Sequence, residues 1–241
     1  MPFTFSHPAI VLPLRNLKIF SCTGLIVGSM MPDFEYFLRM RIVGEHGHTA
    51  LGVYYFDLPI GFLFTYIYHY CIRNTFIDHL PNFFRKRFIL FKQFNWNNYL
   101  KEHFFVVVCS LLLGVYSHLF WDAFTHEYGY FVQKIPILKE TIFKRPIYNI
   151  LQHLSSIVGA WLIYYSIKKM PVACNLNVYT NNVIIYWFWV VFFTESFTMI
   201  RFYDNMHLWM IGNIIVTTIM NFFLALLLIN FIYKTFRKNN V

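Results

Sequence analysis

The chain has 241 residues, 58% of them hydrophobic and 22% aromatic. Only 13% are charged, about half the fraction of a soluble domain, which excludes an ordinary water-soluble globule. The formal charge of +9, from 20 Lys and Arg against 11 Asp and Glu, then reads as loop cations that set topology and meet anionic lipid, not as a nucleic-acid surface.

In chain order, the N-terminal region shows no cationic leader followed by a short apolar run and a small-residue cleavage site, so no removed signal is expected. The apolar run Ile19–Met31 stops at Pro32 and is shorter than the roughly 20 residues a crossing needs. It predicts a short N-terminal interfacial or re-entrant helix, with a sixth crossing there as the alternative. Five longer runs predict spans over 51–72, 104–124, 149–167, 183–202 and 208–233. No repeat or Gly/Ser linker divides the sequence, so residues 1–241 read as a single transmembrane domain. The expected class is an all-α, polytopic integral membrane protein with about five transmembrane helices.

Arg73–Lys101 is the largest polar connection, and its run Arg85, Lys86, Arg87 through Lys92 reads as a loop against anionic headgroups. With five spans, loop cations divide eleven to nine in favour of the side bearing this loop, which positive-inside counting places in the cytoplasm. Cys22, Cys71, Cys109 and Cys174 lack metal or redox spacing and read as small buried hydrophobes.

Within the second span, His118, Asp122 and His126 follow at steps of four, which stacks them on one helical face. Ionisable groups near hydrocarbon must meet partners in a protein interior or wet cavity. An imidazole and a carboxylate at this spacing make half of a divalent-metal site, or a hydrogen-bonded pair that joins helices. Further donors stand upstream in Ser6-His7-Pro8, in Pro32-Asp33-Phe34-Glu35 and in His46-Gly47-His48-Thr49, and downstream at His153. The five-span topology carries these clusters to one membrane face. Gly114, four residues before His118, offers close helix approach or ordinary small-residue packing. Glu195 with Thr194 and Thr198, and the stripe Asn213, Thr217, Asn221, read as interhelical hydrogen-bonding glue. Asp57, two residues before Pro59, is expected at an interface or capping a break.

The opening Met1-Pro2-Phe3-Thr4-Phe5-Ser6-His7-Pro8-Ala9, the segment Gly28-Ser29-Met30-Met31-Pro32-Asp33-Phe34-Glu35-Tyr36, His48-Thr49 and His118 to His126 carry a resemblance over the whole chain. It resembles an uncharacterised bacterial membrane family, domain of unknown function 4184. The order of these motifs is also similar to a membrane-bound, metal-dependent hydrolase family typified by a LexA-regulated inner-membrane protein, and more distantly to a zinc-dependent phospholipase C pattern. That resemblance implies metal ligands at Asp33, His48, His118 and Asp122, with His7 a further member and His46 and His153 as additional candidates. Glu35 stands where the hydrolase pattern has a second Asp, and Glu45-His46-Gly47-His48-Thr49 replaces its His-Arg-Gly-x-Thr-His, so both His46 and His48 are open as the ligand.

Together these residues lead to the expectation of a divalent-metal site, zinc foremost, in a multi-pass protein of a bacterial inner membrane with membrane lipids as partners. Hydrolysis of a lipid or lipid-linked phosphoester is the natural chemistry, with Glu35 or His126 as general base. The competing expectations are a non-catalytic membrane protein with a structural His/Asp cluster and a cation or proton carrier. The oligomeric state is not legible.

Overall fold

Backbone polar groups have no water to bond inside a bilayer, so an apolar chain must satisfy them internally, and here it does so with helices. A computed structural model describes residues 3–173, 183–203 and 210–239. In chain order the helices are α1 (Pro8–Val11), α2 (Cys22–Gly28), α3 (Met31–Arg39), α4 (Leu58–Ile67), α5 (Arg73–Asp78), α6 (Asn82–Phe88), α7 (Trp96–Glu102), α8 (Phe104–Thr125) and α9 (Tyr130–Lys134). A two-stranded hairpin, β1 (Thr141–Ile142) and β2 (Arg145–Pro146), precedes α10 (Ile147–Lys168), α11 (Val183–Phe202) and α12 (Ile211–Asn239). Among the described residues four stretches are long and apolar enough to cross a membrane: Phe104–Lys134, Ile147–Lys168, Val183–Phe202 and Ile211–Thr235. Their outer faces expose Ile157, Ile184, Phe188 and Ile200, as helices solvated by lipid do. The chain is an all-α polytopic membrane protein.

Contacts group the chain into two compact units. No linker separates them in sequence, because each is assembled from three stretches. The first comprises Met1–Phe34, Glu45–Thr65 and Asn97–Lys169. Here α2 lies directly on α8, an approach that glycine makes possible on both sides. A Cβ at Gly114 would sit 2.6 Å from the Leu25 carbonyl oxygen and the Ser29 nitrogen, and one at Gly28 would collide with the Leu111 backbone. The Ser21 hydroxyl accepts from Gly24 N at 3.2 Å and caps α2, while Ser21 N donates to Ser110 Oγ of α8 at 2.8 Å. The first residues are strapped to α10: Phe3 N donates to Ser156 Oγ (2.9 Å) and Ser6 Oγ to the Ser156 carbonyl (2.8 Å). Val11, Leu25, Met31, Val107, Leu111 and Val115 fill the interior.

The second unit comprises Glu35–Gly44, Tyr66–Trp96 and Met170–Val241. Its α11 and α12 run antiparallel, as the pairs Thr198 with Asn221 and Tyr186 with Asn230 require. Asn221 Nδ2 donates to Thr198 Oγ1 and Tyr186 OH to Asn230 Oδ1, both at 3.0 Å, above a core of Tyr186, Val190, Ala225, Leu226 and Ile229. Asn213 Oδ1 accepts from Ile42 N (2.9 Å), and Thr217 Oγ1 donates to the Met40 carbonyl (3.1 Å). Asn221 thus joins α12 to α11 as expected, whereas Asn213 and Thr217 hold the turn after α3 and the Thr194 hydroxyl bonds the Val190 carbonyl of its own helix. Glu195 takes no part in these contacts and lies exposed on α11.

Several expectations change. The run 51–72 is not one α-helix: π-helical turns at Val53–Asp57 and Tyr68–Ile72 flank the ten residues of α4. Pro59 has no N–H to give the carbonyl four residues back, and the ladder widens there. Asp57 closes the first wide turn and is fully buried. The apolar run at 19–31 yields only the seven residues of α2, about 10 Å of helix, and Pro32 is the second residue of α3 instead of merely ending a helix. Arg73–Lys101 is helical, not a polar loop, with Arg73 and Arg85 buried; Arg73 donates to the Phe94 carbonyl at 2.8 Å. Cys22, Cys71 and Cys109 are exposed, not buried, since a thiol tolerates an apolar surround without packing. Cys174 and the expected start of the last span at Leu208 lie outside the described residues.

Because backbone, not a flexible side-chain end, occupies the space at Gly114 and Gly28, Gly114→Ala and Gly28→Ala should each lower stability by about 1–3 kcal/mol, the usual range for overpacking. Thermal unfolding in detergent reads this, and an unshifted midpoint for both would contradict the close packing of α2 on α8.

Candidate metal centre

The spacing that stacks His118 and Asp122 on one face of α8 aims both into the first unit, where each is buried. Three other segments bring their donors to them. Pro32 is the second residue of α3, so Asp33 falls in its first turn, the tight turn Gly47-His48-Thr49 delivers His48, and the strapped N-terminal segment delivers His7. Among the described residues, Asp33, His48, His118 and Asp122 form the one group able to hold a metal ion, with one ligand atom of each within 4.8 Å of all the others.

Imidazole and carboxylate alternate around this ring. His118 Nε2 lies 3.2 Å from Asp122 Oδ2 and 3.6 Å from Asp33 Oδ1. His48 Nε2 lies 3.5 Å and 3.7 Å from the same two oxygens. Ligands about 2.1 Å from a tetrahedral zinc stand roughly 3.4 Å apart, so these edges have the size of a coordination shell. The donors are also oriented. A carbonyl only accepts, so the 2.8 Å contact from His118 Nδ1 to the Ser29 oxygen puts a proton on Nδ1 and makes Nε2 the ring nitrogen that faces the two carboxylates. Thr4 Oγ1 donates to Asp33 Oδ2 at 2.6 Å and leaves Oδ1 for the ring. Burial would raise the Asp33 carboxyl, but the adjacent His118 imidazole prevails and holds it below the ordinary value.

Around the ring, buried nitrogens and oxygens lack hydrogen-bond partners, which is uncommon in a folded interior and fits a site made for a cation. They are His118 Nε2, Asp122 Oδ1 and both nitrogens of His7. His7 is only 4% exposed and stacks on His118, with centroids 3.8 Å apart and planes at 15°. Its Nε2 is 3.7 Å from Asp122 Oδ1. Burial and the neighbouring His118 push the His7 imidazole down to about 4, so it is neutral and its lone pair is available near pH 7. His48 forms the accessible edge, with 30% of its side chain exposed.

The remaining candidates are placed differently. His126 follows the last turn of α8, its Nδ1 3.5 Å from Asp122 Oδ1 and 3.3 Å from the Asp122 carbonyl oxygen, and a third of the side chain is exposed. His46 faces elsewhere: its Nδ1 bonds Tyr55 OH at 2.8 Å, and Nε2 lies 4.0 Å from Glu45. His153 is exposed on α10 and outside the ring. Glu35 is two residues from Asp33 on the same helix, so the two carboxylates leave it in opposite directions. Glu35 is buried and accepts from Arg39 Nε at 2.9 Å. Thr4 and the Ser29 carbonyl were not singled out from sequence. Thr4 stands beside the His7 motif, but nothing in a residue's type announces what its backbone oxygen will bind.

Thr4→Val keeps the shape of the side chain and removes the donor to Asp33, leaving a buried carboxylate oxygen unsatisfied. The expected loss is about 1–3 kcal/mol in thermal or denaturant unfolding. A variant as stable as the parent would show that Asp33 needs no such support.

No curated protein and no solved structure matches the chain. A family defined only as a domain of unknown function, DUF4184, matches residues 1–231, which takes in every member of the ring together with His7 and His126. By that match over nearly its whole length, the chain belongs to the DUF4184 family.

Proposed function

We propose that this protein is a membrane-embedded, metal-dependent hydrolase that acts on a lipid or a lipid-linked phosphoester at the face of the bilayer. The observation that carries the reading is the ring of Asp33, His48, His118 and Asp122, in which His118 Nε2 and Asp122 Oδ1 are buried without hydrogen-bond partners although the groups behind the ring are pinned. These four side chains would hold one divalent cation, zinc by donor chemistry, with His7 adjoining through Asp122 Oδ1. When bound, such a cation supplies Lewis acidity: it makes hydroxide available near neutral pH and stabilises negative charge developing on a phosphoryl oxygen.

The chain's own groups divide the remaining work. Ser29 and Thr4 keep His118 and Asp33 in their binding orientations. His126, at the mouth, directs Nδ1 toward the Asp122 carbonyl, which leaves its Nε2 to take a proton from an attacking water. The exposed edge at His48 gives a substrate headgroup its approach, and the position of Asp122 and His126 at the end of a spanning helix favours an amphiphile. We extend the reading to the inner membrane of a bacterium on the resemblance to the inner-membrane hydrolases.

A second reading has an observation of its own. His118 lies between two carboxylates, so a protonated imidazole there would tie α3 to α8 as a purely structural ion-paired cluster. Elemental analysis of the purified protein and turnover of mixed lipids with and without chelator separate the two. The hydrolase reading expects about one divalent ion per chain, lost in Asp122→Ala together with activity. His126→Ala should retain the ion and lose turnover by roughly 10²–10⁴-fold. A protein free of metal as isolated, with no product after metal is added, defeats this reading and leaves the structural one. A stoichiometric ion without turnover on any lipid leaves a structural metal.

A further inference from the structure

Between the end of α8 and the start of α10 the chain forms the hairpin β1–β2, with register Ile142↔Arg145 and Thr141↔Pro146. Only Phe143 and Lys144 make its turn, and both have positive φ, 52° and 63°. A two-residue turn of this type suits Asn and Gly, which enter the left-handed region readily, whereas a bulky aromatic residue there is strained. Strain of this kind persists where something outside the local backbone favours the residue. Packing within the protein does not, because Phe143 is 94% exposed, with Ile142 and Ile137 also at the surface.

The surroundings of this apolar tip carry a cationic excess: Lys139, Lys144 and Arg145 are exposed against one exposed acid, Glu140. Pro146, the last residue of β2, is the N-cap of α10, and α10 is long and apolar enough to cross the membrane. The tip therefore stands within a few residues of that helix. An aromatic tip among lysine and arginine side chains is the composition of an interfacial anchor.

We propose that the Thr141–Pro146 hairpin is a membrane-surface anchor, in which Phe143 enters the headgroup layer of an anionic bilayer while Lys144 and Arg145 meet lipid phosphates. The anchor does not depend on the metal centre or on any activity. It ties the α8–α10 connection to the lipid surface, so the segment after His126 is held at a fixed depth.

The test is a depth measurement in nanodiscs. A polarity-sensitive fluorophore is attached at Phe143→Cys in a protein whose four native cysteines are replaced by serine. In bilayers containing phosphatidylglycerol the label should emit at shorter wavelength than in detergent, lose intensity to nitroxide-headgroup lipids and resist quenching by iodide. In purely phosphatidylcholine bilayers, or with Lys144→Ser and Arg145→Ser added, the protection should diminish. Native protein supplies a second readout that needs no label: trypsin should cut after Lys144 readily in detergent and slowly in anionic nanodiscs. A label open to iodide in both bilayers, together with trypsin cleavage equally fast in lipid and detergent, overturns the anchor. Equal protection in both lipids overturns the anionic preference.

Discussion

Everything at the centre of the first unit depends on one buried carboxylate. Asp122 lies within the helix α8, where an unpaired negative charge is costly, and imidazoles approach its two oxygens from different sides. Oδ2 faces His118 and His48, and Oδ1 faces His7 and His126. Four imidazoles thus gather on one acid. Segments far apart in sequence have to converge for that to happen, and the route of the first fifty residues reflects this need.

Two devices achieve the convergence. Glycines at 28 and 114 let the backbones of α2 and α8 touch, which brings the Ser29 carbonyl within reach of the His118 ring. Serines at 6 and 156 strap the N-terminal segment along α10, which sets Thr4 against Asp33 and the His7 ring against His118. Neither device adds a donor to the ring. Both restrict the freedom of the donors, so a cation would meet a shell already assembled instead of organising flexible side chains.

The helical membrane class was plain in the sequence because apolar run length is a direct physical requirement of the bilayer. The His118, Asp122, His126 face was equally legible, since a step of four has one geometric meaning on a helix. Gly114 drew notice for the same reason. The partner of Glu35 was not legible, because two residues along a helix the side chain has turned away from that of Asp33, and it pairs with Arg39 one turn on. The choice between His46 and His48 could not be read either, as it depends on which of two imidazoles a tight turn sends inward and which one finds Tyr55. The hairpin before α10 was invisible because its turn residues, Phe143 and Lys144, are among the least expected at positive φ.

The wide turns on either side of α4 set how this part of the chain tolerates changes in length. A turn closed by i→i+5 bonds holds about one residue more than an α turn, so losing a residue from Val53–Asp57 or Tyr68–Ile72 can be absorbed by tightening the spiral in place. The same loss inside Leu58–Ile67 would swing every later side chain of that helix by about 100° and carry its inward face outward. Relatives that differ in length here are therefore expected to place their gaps at the two slack coils and to keep the ten residues between them intact.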